Sequence, residues 1–382
     1  MIVRFARVCA VAAAFAALLL PAGASAQGNL SAQGLGYPPG ALSARSLGAG
    51  GALGEMDPTS ALNPAAIIEF GAPALSMQLE PEFRRVTDNG QSANSSTQRF
   101  PVFVAALPFG EHLMIGASSA TLLDRSWQTT TPQDQVIRGD SVLFNSTTTS
   151  NGSVNDLALT AAYVFRPWLR AGVAIHGVNG RDVVEVRRTF QDTVRYGNTI
   201  ETVTNTYTGR AVSAGIEFVE PSLGGLALSY RRGGGLKQTV GDTLIESAHV
   251  PDRFGLGLAF NGFSGTTLAL RTAYDRWSAL GNMDSASGAA MNSWDTSFGA
   301  EFSGPRLGGF PLALRLGTRW RNLPFPADGH QVHEASFTGG LGLTLARGHA
   351  LFDIAGVHAA RSAGIGISEQ AWTLSMGLTI RP

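Results

Sequence analysis

The chain has 382 residues, 44% of them hydrophobic and only 15% charged, with 28 basic residues balanced by 28 acidic ones. That balance gives no field to hold nucleic acid, and the low charge argues against a string of soluble domains, where roughly 25% charged residues are usual. Beyond the leader no run approaches ~18 consecutive apolar residues, which excludes a bundle of membrane helices and leaves the closed β-barrel, the other structure that pairs every backbone polar group within hydrocarbon.

The first element is a leader. Arg4 and Arg7 precede an apolar run from Val8 to Leu20, and the small triplet Ala24, Ser25, Ala26 follows. This order of basic, apolar and small residues predicts a secretory signal peptide over residues 1–26, cleaved after Ala26. Cys9 is the single cysteine and lies inside it. The mature chain is then free of thiols, which excludes a disulfide scaffold and a thiol enzyme.

Residues 27–71 show no alternation and are rich in Gly, Ala and Pro, yet Leu53, Leu62, Ile67, Ile68 and Phe70 give them apolar surface to pack. The expected place is the lumen of the barrel that follows, where such a segment acts as a hatch. A barrel of about fourteen strands is wider than the ~8 whose interior side chains fill by themselves.

From residue 72 to 382 the sequence alternates with period two. Phe254, Leu256, Leu258 and Phe260 oppose Arg253, Gly255, Gly257 and Ala259, and Trp372, Leu374, Met376, Leu378 and Ile380 oppose Thr373, Ser375, Gly377, Thr379 and Arg381. Segments of about ten residues with this pattern suit membrane strands, apolar side to lipid and small or polar side to the lumen. About fourteen are predicted, near 73–85, 99–107, 112–124, 154–165, 169–180, 208–219, 226–237, 252–261, 266–278, 293–303, 311–321, 334–345, 350–360 and 369–381. Short Gly/Pro turns alternate with longer polar loops, the longest expected over 125–153 and 180–208. That rhythm predicts an all-β transmembrane antiparallel barrel with tight periplasmic turns, long extracellular loops and both termini on the periplasmic side. Trp277, Trp294, Trp320 and Trp372 fall near strand ends, which suits rings at the membrane interface.

The run Arg45-Ser46-Leu47-Gly48-Ala49-Gly50-Gly51-Ala52, followed by Asp57, Ser60-Ala61 and Asn63-Pro64-Ala65, resembles the N-terminal hatch of the FadL family of outer-membrane transporters. Ala66 stands where that family commonly has glycine. The resemblance implies a fourteen-stranded barrel that takes up long-chain fatty acids or hydrocarbons, with Arg45, Gly48, Gly51, Asp57, Asn63, Pro64 and Ala65 as hatch and gating residues. It also implies hatch movement and exit through a gap in the wall; the small residues Ala117 to Ala120 are the expected bend where strand pairing lapses. The same hatch motif occurs in related barrels that serve protein secretion, which is the alternative reading.

Other constellations weigh less. His330, His333 and Glu334 have a fragment of metal-like spacing but no helix to carry it, so no metal or other cofactor is expected. Barrel enzymes use Ser/His or Asp/His pairs, but Ser and Asp are too plentiful here to discriminate, and no G-x-S-x-G elbow or P-loop occurs. A lipase or protease is therefore the remote alternative, and the expectation is a protein that is not an enzyme. Arg253, Arg271, Arg315, Arg319 and Arg321 are expected in the lumen, paired with Asp275, Asp295, Glu301 and Asp353; Arg271 and Arg315 are the candidates to bind a ligand carboxylate. The expected partners are a small hydrophobic ligand and the lipid and lipopolysaccharide of a bacterial outer membrane, around a monomer.

Overall fold

A computed structural model describes residues 30–381 except 89, 138, 139, 193, 282, 284–288 and 365, so the leader and Cys9 lie outside the described residues. Seventeen strands follow one another: β1 (Ala74–Asp88), β2 (Gln91–Arg99), β3 (Val102–Phe109), β4 (Leu113–Asp124), β5 (Trp127–Ile137), β6 (Asp140–Arg166), β7 (Leu169–Phe190), β8 (Thr199–Glu220), β9 (Gly224–Val240), β10 (Thr243–His249), β11 (Asp252–Phe263), β12 (Thr266–Arg276), β13 (Ser293–Leu307), β14 (Phe310–Asn322), β15 (His333–Leu345), β16 (Ala350–Ser362) and β17 (Ile367–Ile380). Three barrel strands are each broken in two. Both β2 and β3 pair with β1, β4 and β5 both pair with β6, and β10 and β11 both pair with β9, so the wall has fourteen strands. Two of the breaks carry Pro101 and Pro251, which have no N–H to give to a ladder.

The cylinder closes where β1 pairs antiparallel with β17, from Leu75 opposite Ile380 to Asp88 opposite Ile367. Closure removes the edge that hydrocarbon would not tolerate. The side chains sort as the alternation requires. Phe254, Leu258, Leu270, Phe298, Leu316, Phe337 and Trp372 are exposed on the outside, while Arg253, Ala269, Arg271, Ser297, Arg315 and Ser375 are buried on the inside. Trp294 and Trp320 also face outward. Trp277 does not: it is 4% exposed, edge-on to Phe325 at 6.1 Å in an apolar cluster with Leu35, Tyr207, Leu280 and Met283. A short helical turn, Trp277–Leu280, ends β12 and swings the ring inward, which corrects the interfacial placement expected for it.

The expected loops over 125–153 and 180–208 are mostly strand. β6 runs for 27 residues and β7 and β8 for 22 each, in continuous register from Tyr163 opposite Ala171 to Phe144 opposite Phe190. At ~3.4 Å per residue β6 is ~90 Å long, against ~30 Å of hydrocarbon. The outward apolar row is confined to its last part, Leu157 to Phe165, and the Thr-rich remainder stands clear of the membrane. Outside lipid a strand needs no greasy face, so the polar stretch reads as loop while pairing as sheet.

Candidate functional site: a plugged lumen

The segment before β1 touches opposite walls of the cylinder. Helix α1 (Ala44–Gly48) packs against β14 to β17, and the 3-10 helix Pro64–Phe70 packs against β4, β6, β7 and β8. Both begin on side-chain caps: Ser43 Oγ accepts from Ser46 N at 3.0 Å, and Asn63 Oδ1 accepts from Ala65 N at 3.0 Å. Pro64 stands at the first helical position, where its missing N–H costs nothing. The turn ends at Gly71, left-handed at φ 62°. Ala66 is fully buried within that turn, so alanine is accommodated where a glycine is commoner in the resembling family.

The residues singled out in this segment hold it together and to the wall. Arg45 forks onto Glu301, Nε to Oε2 at 3.1 Å and Nη2 to Oε1 at 2.9 Å, and its guanidinium is held above the usual range because Glu301 and Asp57 outweigh burial. Asp57 accepts from Ser43 Oγ, from Thr59 Oγ1 at 2.7 Å and from Ser60 Oγ at 3.0 Å. Asn63 Nδ2 donates to the Glu55 carbonyl at 2.9 Å and to Glu217 at 3.4 Å. The Gly48 carbonyl accepts from Thr338 Oγ1 at 3.0 Å, and Thr338 accepts in turn from Gly50 N at 2.8 Å. Backbone meets backbone here: a Cβ at Gly50, φ 72°, would lie 2.6 Å from the Thr318 carbonyl oxygen. Gly51 is also left-handed, at φ 89°, and Ala65 is fully buried.

Two anchors carry most of the charge. Glu55, fully buried, accepts from Arg253, from Arg271 Nε at 3.3 Å and from Ser229 Oγ at 2.7 Å. Burial alone would raise its carboxyl, but Arg253 and Arg271 with these hydrogen bonds hold it below the usual carboxylate range. Arg271 also reaches Asp295 at 2.9 Å, which Arg319 shares at 2.7 Å, and Arg315 joins Glu301 and Asp353 at 2.6 Å each. Of the pairing expected across the strands, that to Asp295, Glu301 and Asp353 is present and engages both candidate ligand arginines, while Arg253 turns to Glu55 and Arg321 to Glu334. The second anchor is Tyr37. Its ring sits among the guanidiniums of Arg84, Arg99, Arg321 and Arg361, 4.6 to 5.6 Å from the centroid. Its hydroxyl accepts from Arg361 at 2.8 Å and donates to Glu334 at 3.2 Å. Burial keeps this phenol above its usual pKa, hence a neutral donor.

The motif reading found neither Glu55 nor Tyr37, since nothing local marks one Glu or Tyr among many. Glu334 goes inward to Arg321 and Arg361, at 2.6 Å each, while the neighbouring His333 is exposed and bonded to Asn322. Adjacent strand residues point to opposite faces, so His330, His333 and Glu334 do not converge. Among the described residues no group of three acidic, His or Cys side chains is placed to hold a metal.

Two openings bear on passage through the barrel. Above the plug an internal cavity of about 80 Å3, room for a few waters, is lined by Leu62, Leu122, Asp156, His176, Arg231 and Trp277 among others. In the wall, β2 pairs with β1 and β5 with β6, and among the described residues no ladder joins β2 to β5. A cleft of about 1160 Å3 lies there, lined by Arg84, Ser92, Ser96, Thr130, Pro132 and Asn145 among others. The lapse lies beyond the bend expected at Ala117 to Ala120, which is paired on both sides, Ser118 with Val104 of β3 and with Ala158 of β6. The ladder instead slips between Thr121 and Leu123 and the strand breaks after Asp124.

No protein-family model matches the sequence, and neither does any curated protein. Solved structures do match in fold. A FadL homologue of Pseudomonas aeruginosa superposes with a TM-score of 0.59 at 12% identity, covering 91% of this chain and 99% of that one. The toluene transporter TbuX of Ralstonia pickettii gives 0.57 at 12%, covering 89% and 98%. The monoaromatic hydrocarbon channel CymD gives 0.54 at 14%, covering 93% and 99%. At these identities the likeness establishes the architecture alone: a closed fourteen-stranded antiparallel barrel.

Proposed function

We propose that this protein is a FadL-like channel of the bacterial outer membrane, exported by its leader, through which small hydrophobic molecules such as fatty acids or hydrocarbons cross. The observation that carries the reading is an N-terminal segment, residues 30–71, that lies across the lumen and is tied to opposite walls by contacts and ion pairs. An open pore suits polar solutes. An apolar solute gains little from water and much from sliding into lipid, at ~25 cal/mol per Å2 of apolar surface buried. A lumen occupied by this segment supports a route that leaves the watery axis of the barrel. Neighbours in fold that are named as a FadL homologue, a toluene transporter and a hydrocarbon channel point the same way.

In this reading the hatch gates by shifting between ion-paired positions, with Arg45, Gly48, Gly51, Asp57, Asn63, Pro64 and Ala65 holding its resting shape. Arg271 and Arg315 serve it as wall anchors first, and meet a ligand carboxylate only when Glu55 or Glu301 moves away. The solute enters through the cleft between β2 and β5, beside the part of β6 that stands clear of the membrane, and leaves sideways into lipid below it. The test is mass spectrometry of ligands extracted from protein purified in detergent, with uptake of radiolabelled oleate and toluene by cells. Retained fatty acid or hydrocarbon, and uptake that depends on the protein, are expected. A lumen free of both, with secreted proteins co-purifying, would replace transport by the secretion reading.

A further inference from the structure

Three lumen residues that the plug does not use stand in a catalytic order. Asp156 on β6, His176 on β7 and Ser213 on β8 occupy consecutive strands with their side chains in one row. Asp156 Oδ1 is 2.8 Å from His176 Nδ1, and His176 Nε2 is 2.8 Å from Ser213 Oγ. We propose that they form a serine-hydrolase site inside the barrel, acting on carboxylic esters of small hydrophobic acids.

The atoms are the right ones in the right order. An ionised Asp156 accepts a hydrogen bond from His176 Nδ1–H, which leaves Nε2 to accept from the Ser213 hydroxyl and to draw its proton when that oxygen attacks. Mutual satisfaction explains why three polar groups tolerate burial. It does not require this sequence of atoms, nor a place on the wall of the internal cavity, which all three line. The next strand adds a cation. Arg231 lies directly opposite Ser213, where facing Cβ atoms stand ~5 Å apart. Its Nη1 holds Asp156 Oδ2 at 3.2 Å, while its Nε is buried and has no hydrogen-bond partner. An unpaired N–H on the residue facing the nucleophile is what a developing oxyanion needs once the guanidinium turns toward it.

Substrate class follows from the other side of the imidazole. His176 also lines a second, narrower cavity of about 30 Å3, whose walls include Ile67, Val104, Ala117 and Ala158. A slot of that size, apolar along this side and edged by Ser60, Asn63, Ser118 and Thr160 on the other, suits a short acyl chain. In the reaction Ser213 Oγ bonds to the ester carbonyl carbon as its proton passes to His176 Nε2. The tetrahedral oxyanion, held by Arg231 Nε, collapses, the C–O bond breaks, and the alcohol leaves with the proton from His176. Water then bonds to the acyl carbon as its proton passes to His176 Nε2, the Ser213 Oγ–C bond breaks to free the acid, and the proton returns from His176 to Ser213 Oγ. Ser213 and His176 are the catalytic residues and Asp156 positions the ring.

The test uses the full chain purified in detergent, with diisopropyl fluorophosphate as the labelling probe and p-nitrophenyl butyrate as substrate. Neither measurement depends on a solute crossing the barrel, so the result is independent of the transport reading. Expected is one phosphoryl adduct on Ser213, found by peptide mass spectrometry, and turnover that falls at least ~10^3-fold in Ser213→Ala and His176→Ala. Both variants should keep the fast gel migration of a closed barrel before heating. Asp156→Asn should lower kcat by ~10^4-fold at unchanged KM. An unlabelled Ser213, turnover in Ser213→Ala equal to wild type, or kcat unchanged in folded Asp156→Asn would each overturn the proposal.

Discussion

Glu55 shows how single residues hold the plug. A carboxylate inside a barrel is costly unless paired and hydrogen-bonded, and this one meets Arg253, Arg271 and Ser229 together. Breaking such a buried pair by removing one partner typically costs ~3–5 kcal/mol, because the remaining charges stay behind unmatched. Glu55→Gln should therefore loosen the segment and raise single-channel conductance at neutral pH; conductance equal to wild type would show that Glu55 is not an anchor. The wild-type protein should respond to acid in the same sense. Because the folded carboxyl titrates below its ordinary range, its contribution is complete at neutral pH and is lost as pH falls past ~4 through the lowered value. Conductance should stay flat from pH 7 to about 5 and rise only below that. Packing offers a second handle. A Cβ on Gly172 of β7 would lie 2.6 Å from the Pro64 carbonyl carbon, so Gly172→Ala must push the Pro64–Phe70 turn off the wall. A cost of ~1–3 kcal/mol is expected, read as faster proteolysis of the segment in an otherwise intact barrel. Residues at this scale were half legible. The arginines could be picked out because alternation placed them on the lumen face, whereas Glu55 and the row Asp156, His176, Ser213 are joined only by strand register across distant sequence.

Elements were legible in proportion to how much lipid dictates them. β11 to β17 match their predicted spans within a few residues, since each must present an unbroken apolar row outward. Above the membrane that demand vanishes, and the upper halves of β6, β7 and β8 looked like loops although their ladders are continuous. Trp277 was misplaced for a related reason: an aromatic ring at a strand end fits an interface or an inward-turning cap, and only the turn after β12 selects between them. The break in the third barrel strand, after Asp124, opens the ladder between β2 and β5 above the lipid-facing rows and supports an entry there. Ser96→Trp places a large ring at that cleft. It should slow toluene uptake severalfold while leaving ligand binding in detergent unchanged; full uptake in the variant would move the entry elsewhere.

At the scale of the whole molecule, two layers of side chains lie in the lumen. The apolar cluster of Trp277, Leu280, Met283 and Phe325 folds over the lumen together with Leu35, and the segment from Tyr37 to Phe70 fills the space beneath. The wall does not rest on either. Its closure is made by strand pairing from β1 round to β17, and a lumen lined with Arg, Asp, Glu, Ser and Thr can be solvated by water as well as by the plug. Deleting residues 30–70 should thus leave a detergent-soluble barrel with a β-type circular dichroism spectrum and a lower melting temperature, since charges such as Arg253 and Arg271 trade Glu55 for water. Ion conductance should rise to that of a wide channel and lose its response to acid, because the group that carries the response goes with the segment. Conductance unchanged by the deletion would refute plugging, and would leave the mouth cluster as the barrier that a hydrophobic solute has to displace.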